Sequence, residues 1–239
     1  NDGSRAPMLA TILQDGHDLF GRDDTLYVKQ KLLAPQSIQT AGIEPAHRSM
    51  HYPASGFTMM RSDWSADAHY LLINHGPYGG GHSHADALSF ELHAFGRAMA
   101  IDVGIGETYD DPHQLTYYVH APAHNMITFD GEDPDRRAAE GTMVLWKTDA
   151  HFDYFAATHH GYQSSKGIIH RRHIAFVKSG YFVIYDEIDA TGATADHLAE
   201  WNLHATVPMK PDADGFASPN GPGLIVRCSA TARSSQSKA

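Results

Sequence analysis

Three histidines and one carboxylate are spaced so that they could meet at one site. His82 and His84 are separated by one residue, behind Gly79-Gly80-Gly81 and ahead of Asp86. Asp102 closes the apolar run 98–103 and leads into a Gly-x-Gly turn. His124 sits between the Ala121-Pro122-Ala123 bend and the apolar run 126–129. In extended chain, side chains alternate with period two, so His82 and His84 face the same way. Two neutral imidazoles and a carboxylate make a first set of zinc ligands with a fourth position left for water. Thiolates are absent from the set, which favours zinc over copper and leaves iron and manganese open. We read His84, Asp102 and His124 as one metal site and His82 as a separate residue facing a substrate. The plainer readings are a turn with two exposed histidines and an aspartate that caps a turn.

Between Asp102 and His124 runs the stretch 109–118, which holds Tyr109, Tyr117 and Tyr118 among polar residues. It is too polar for a core strand. A loop of this kind can offer a tyrosine hydroxyl as acid or base, or simply pack a ring over a sheet. Other groups are weaker candidates. Arg171-Arg172-His173 suits either an anionic ligand or a solvent face. Asp186, Glu187 and Asp189 read as turn chemistry at a strand end. His159-His160-Gly161-Tyr162 reads as a turn within reach of the site.

The elements that must position these groups are short β runs. From residue 51 onward, short β runs recur at 56–61, 69–74, 88–95, 98–103, 125–129, 143–147, 151–158, 170–177, 181–186 and 198–204, with turn residues between them. Leu88, Phe90, Leu92 and Ala94 alternate with Ser89, Glu91 and His93, the pattern of a half-buried strand. Asp130-Gly131 is a hairpin turn signal, and Ser179-Gly180 reads as another tight connection. So many strands with little helix between them predict an all-β, antiparallel two-layer sandwich. Residues 1–48 differ: helical spacing over 7–20 and 24–33, an N-cap at Asp23 or Asp24, and a stop at Pro35. We divide the chain into a helical tail and linker, 1–48, and a β domain, 49–239. The chain opens on Asn1-Asp2-Gly3, which suggests a processed protein or an excised piece of a longer one.

Composition narrows the function. A chain of 239 residues can bury a full core, and no apolar run approaches the roughly 20 residues needed to span a bilayer. A net charge of -10 argues against nucleic acid as a partner. The single cysteine, Cys228, excludes an internal disulfide, and it follows an apolar run that would bury it. Eighteen histidines make the overall charge sensitive to pH between about 5 and 7.

The run GPYGGGHSHADALSFELHAFGRAMAIDVG, followed by AHNMITFDGEDP and RRHIAFVKSGYFVIYDEID, resembles the β-sheet domain of heparinase II/III-like polysaccharide lyases over about residues 50–205. That resemblance implies β-elimination at a uronic acid of an acidic polysaccharide such as alginate, heparin, heparan sulfate or a related uronan. It implies zinc held by His84, Asp102 and His124, with His82 as a catalytic or substrate-contacting histidine. Tyr117, ahead of Tyr109 and Tyr118, matches a site tyrosine. In such proteins an N-terminal (α/α) toroid supplies the remaining catalytic groups, and no full toroid fits in 48 residues. The chain is therefore expected to be inactive or nearly so by itself, with the toroid as its missing partner. A bacterial periplasmic or secreted location follows from the substrate class. Met126-Ile127 stands where the family often has Thr-Val. A polyanion bound to an acidic chain calls for a local basic cleft, with Arg61, Arg171 and Arg172 as candidates. Two other readings remain: a non-catalytic carbohydrate-binding β domain, and a cupin-like metal-dependent oxygenase in which Glu91 is the carboxylate.

Overall fold

The computed structural model describes residues 5–33, 42–106, 108, 110–178, 180–212, 215–219 and 223–227. Pro35, Tyr109, Ser179 and Cys228, named above, lie outside the described residues.

Two helices come first, α1 (Arg5–Phe20) and α2 (Asp23–Leu33). They pack on one another, and Lys29 Nζ donates to Gln14 Oε1 at 2.7 Å across the pair. Their apolar side chains stay largely open to solvent: Ile12, Leu19 and Phe20 are exposed, and α2 buries nothing fully. Among the described residues no helix is long and apolar enough to cross a membrane.

The β domain is built from meanders. Strands β1 (Met50–Tyr52), β2 (Phe57–Arg61), β3 (Tyr70–Asn74), β4 (Phe90–Ala94) and β5 (Arg97–Ala100) pair in order as an antiparallel five-stranded sheet. After β5 come a single π-helical turn (Gln114–Tyr118), a 3-10 turn (Ala121–Ala123) and β6 (Ile127–Phe129). Strands β7 (Thr142–Thr148), β8 (Phe152–His159), β9 (Ile169–Val177) and β10 (Tyr181–Asp189) form the second antiparallel sheet, with the short helix α3 (Gln163–Lys166) between β8 and β9. β11 (Ala199–Trp201) returns to pair with β6. A small three-stranded sheet, β12 (Lys210–Asp212), β13 (Gly215–Ala217) and β14 (Ile225–Arg227), ends the described chain.

The two larger sheets share one core. Met60, Leu71, Ile73, Phe90 and Leu92 face inward from the first, and Phe155, Ala157, Ile174 and Phe176 from the second. Burying each large side chain contributes about 1.5–3 kcal/mol, which makes this layer the main source of stability. The expected antiparallel sandwich is what the chain forms. Asp130 and Gly131 both take positive φ, 59° and 68°, and Phe129 bridges Glu132, as the hairpin signal requires.

β9 corrects two readings of the sequence. Its burial alternates strictly, so His170 and Arg172 point inward with Ile174 and Phe176. Arg172 is fully buried. Its guanidinium pairs with Asp186 on β10, and its Nη1 donates to the carbonyls of Leu88 (2.7 Å) and Asn125 (2.8 Å). It is a structural tie, not part of a basic cleft, and Asp186 is its counter-ion, not turn chemistry. Arg61 stacks on Trp64 and Tyr70. His159 is also buried and hydrogen-bonded to His170 at 3.1 Å.

Candidate functional site

A cavity of about 480 Å³ lies against the outer face of the five-stranded sheet. Phe57, Leu72, Asn74 and Glu91 form its floor; they alternate with the inward residues of β2, β3 and β4. The loop 76–87 makes one wall and brings in His82, His84 and Asp86. A register shift between Leu92 and His93 bends the β4–β5 pair. The chain then leaves the sheet after Ala100 and delivers Asp102 to the rim.

Two close approaches hold this geometry. Gly56 has φ 70°, and a Cβ there would stand 1.9 Å from Gly76 Cα, so the β1–β2 turn packs directly under the start of the 76–87 loop. Leu88, buried and non-glycine, also has φ 60°. Its conformation is held from both sides, by its own N–H to Asn74 O (2.9 Å) and by Arg172 on its carbonyl. That strained residue turns the chain from the His-x-His loop into β4.

Asp102 and His124 meet directly. His124 Nδ1 donates to Asp102 Oδ2 at 2.8 Å. Ser89 Oγ also donates to Oδ2, at 3.1 Å, and Gly104 N–H donates to Oδ1 at 3.0 Å. Burial pushes the Asp102 carboxyl up, but the bond from His124 and the other donors outweigh it and hold it below the usual range. His124 is fully buried, and its Nε2 has no hydrogen-bond partner among the described residues. The ring of His84 lies beside it, 5.3 Å between centroids. Burial first and His124 second push His84 down. Burial raises Asp86, which Asn74 Nδ2 partly offsets with a bond of 2.8 Å, and burial raises Glu91.

Of the residues singled out in the sequence, His82, His84 and Asp102 line the cavity and His124 stands directly behind Asp102. Among the described residues no three His, Cys, Asp or Glu side chains close on a single point as metal ligands. Tyr117 is not brought to the cavity wall. It sits on the π-helical turn, 38% exposed, with its ring edge-on to Tyr118 at 5.6 Å. Glu91 lies on the floor of the same cavity.

Sequence reasoning missed two contributors. Asn125 is buried and fully engaged: its Nδ2 donates to Phe90 O (2.8 Å) and Ile101 O (2.9 Å), and its Oδ1 accepts from His204 N–H (2.7 Å). It rivets β4, the Asp102 segment and residue 204 together next to His124. Arg136 brings a cation to the cavity wall. It lies in a polar loop without a periodic pattern, and no local signal marked it.

The fold and the site together define a β-sandwich domain that presents a histidine- and carboxylate-bearing cleft on the outside of one sheet. The family model described as heparinase II/III-like, C-terminal matches residues 44–237. The chain belongs to that family. It is 27% identical over 173 residues to a heparin-sulfate lyase of Bacteroides stercoris, covering 70% of this chain and 24% of that protein. It is 26% identical over 167 residues to a heparin-sulfate lyase of Pedobacter heparinus, covering 68% and 24%. Among solved structures, a heparinase III gene product superposes with a TM-score of 0.74 at 22% identity, covering 91% of this chain and 33% of that one. The heparan sulfate lyase HepC from Pedobacter heparinus gives a TM-score of 0.65 at 21% identity, covering 78% and 28%. The chain thus spans about a quarter of the length of the curated relatives it matches.

Proposed function

We propose that this chain is the β domain of a polysaccharide lyase that cleaves a uronic-acid-containing glycosaminoglycan by β-elimination. The observation that carries the reading is the convergence of His82, His84 and Asp102 on one cleft, with His124 behind them, in a domain of this family. In that reaction the uronate C5 proton is removed, the C4–O4 bond breaks, a C4=C5 double bond forms, and the leaving oxygen is protonated. His82, exposed at the cleft mouth, is placed to exchange a proton with a bound sugar. Tyr117 faces outward from this domain, so it meets substrate only where a second wall closes over the π-helical turn.

The donor set suits zinc. His124 gives Nδ1–H to a carboxylate and keeps a buried Nε2 without a partner. In a neutral imidazole that bond leaves the lone pair on Nε2, the arrangement found in metal-bound histidines. His84 is the neighbouring donor, and Asp102 orients His124 or ligates beside it. When bound, zinc would shape the site and hold the 76–87 loop; this chain's own residues would still orient the sugar and move its protons. The remaining catalytic groups would come from a helical toroid, for which the exposed apolar side chains of α1 would be a point of attachment. Heparin and heparan sulfate head the substrate list because the curated relatives are named heparin-sulfate lyases; alginate and other uronans follow. A periplasmic or secreted location would follow from such a substrate.

The test is ultraviolet detection of unsaturated uronate ends from heparan sulfate, alginate and hyaluronan. The protein is assayed joined to its helical domain, beside this chain alone and a His82→Ala variant. A signal on one polymer that is lost in the variant supports the reading. No signal on any polymer, with the fold intact, turns the assignment to a carbohydrate-binding domain.

A further inference from the structure

The loop that carries His82 and His84 has no strand or helix of its own, and the segment that carries Tyr117 and His124 has a π-helical turn and a 3-10 turn but no strand. Something must set the spacing between them. Within the loop, Ser83 bonds back to Gly80, through its N–H (3.2 Å) and its Oγ (2.9 Å). One backbone bond links it across, from Ala85 N–H to Val119 O at 3.0 Å. Arg136 makes the other link. Its Nη1 donates to Ser83 O at 3.0 Å, between the two histidines, and its Nη2 donates to Val119 O at 2.9 Å.

The guanidinium is itself held in register. Nη2 also reaches Asp133 Oδ2 at 3.3 Å. Asp133 accepts Ala121 N–H on Oδ1 (2.8 Å) and faces His120 Nδ1 with Oδ2 (2.8 Å). His120 Nε2 lies 3.1 Å from Leu115 O, in the π-helical turn. Beneath the clasp, Ala85, Ala121 and Met126 pack as a small buried cluster. The Arg136 loop is anchored at both ends, by Asp135 N–H to Gly161 O (2.8 Å) and Gly141 N–H to His75 O (3.0 Å).

We infer that Arg136 is a positioning residue of this site: it clasps the His82–His84 loop to the 115–124 segment and so sets where His84 stands relative to His124. The inference rests on the site proposed above. A planar fork is required because one group must serve two carbonyls from different segments at once, which a lysine ammonium on a flexible stem does poorly. Losing the fork takes a charged donor from Ser83 O and leaves Val119 O with the Ala85 N–H bond, so the two segments keep a weaker tie.

The experiment compares this chain with Arg136→Lys and Arg136→Met in two measurements. The first is residue-resolved amide exchange without metal. Protection of Ala85 and Ala121 is expected to fall at least about tenfold in both variants, while β8 and β9 keep theirs. The second is zinc affinity, with zinc alone competed against a chelator. It is expected to weaken by about 10- to 100-fold. Unchanged exchange at Ala85 and Ala121, or an equal loss across β8 and β9, would overturn the clasp. Zinc bound by neither parent nor variant would sink the metal reading instead, and the exchange data would then decide the clasp by themselves.

Discussion

Arg172 and Asp186 form a bidentate pair inside the sandwich, Nε to Oδ1 at 2.8 Å and Nη2 to Oδ2 at 3.0 Å. The same guanidinium lies over the Phe90 ring of the opposite sheet, 5.4 Å from its centroid, and holds the Leu88 and Asn125 carbonyls beside the site. His170 Nε2 and Trp201 Nε1 complete the carboxylate's partners. One buried charge pair therefore joins both sheets to the residues next to His124.

Arg172→Met is expected to destabilise the domain by about 3–5 kcal/mol, because it leaves Asp186 charged and buried without its counter-ion. The double variant Arg172→Met, Asp186→Asn should recover part of that loss. Urea denaturation of the three proteins checks this; equal midpoints for the single variant and the parent would refute it.

His124→Ala and Asp102→Asn should both weaken zinc binding, the first by abolishing the unpartnered donor. The second leaves His124 Nδ1 without its carboxylate, and a loss of about 10- to 100-fold is expected. Chelator competition followed by metal analysis of the dialysed proteins reads the effect. Retention of full zinc affinity in His124→Ala would remove that residue from the site.

Stability should fall as pH drops from about 6.5 toward 4. Burial first, and the stacked His51 second, push the His75 imidazole down to about 4. Its unfolded value is about 6.5, so the unfolded chain binds the proton first. The His75 contribution is fully present above pH 6.5 and is lost as pH falls to 4, a change on the order of 3 kcal/mol. His159 and His170, buried in the second sheet, are lowered by burial in the same sense. Urea midpoints from pH 7.5 to 4.5 should decline, and more shallowly in His75→Gln, which keeps a polar partner for Thr58 Oγ1 at this position. An unchanged slope in the variant would show that His75 does not titrate as described.

Gly56→Ala should be far more damaging than an ordinary turn substitution. It combines a positive φ with a Cβ placed against Gly76 backbone, so either the β1–β2 turn or the 76–87 loop must move. A loss of about 2 kcal/mol or more is expected, with weakened amide protection at His75, whose N–H bonds Gly56 O at 2.7 Å. Thermal unfolding together with amide exchange tests it; a Tm within a degree of the parent would mean the two backbones are not in contact.

The sequence alone determined the class of the fold and the residue types at its cleft. Period-two alternation is written into β4 and β9, positive φ into Asp130-Gly131, and the His-x-His spacing into the loop, because each depends only on neighbours a few residues away. The same alternation placed Arg172 on the face of Ile174 and Phe176, a signal that its charge obscured. Partners are another matter. Alternation says which way a side chain points and nothing about what it meets across 84 residues of chain, the separation between Arg172 and the Leu88 carbonyl it holds. Only the tertiary structure showed that Asp186 is a counter-ion and that Asn125 rivets three segments. It also put Arg136 in a clasp between the 76–87 loop and the 115–124 segment, and Tyr117 outside the cavity. Those outcomes follow from long-range closure of the sandwich, where buried polar groups must find whichever donors and acceptors the packed sheets bring to them.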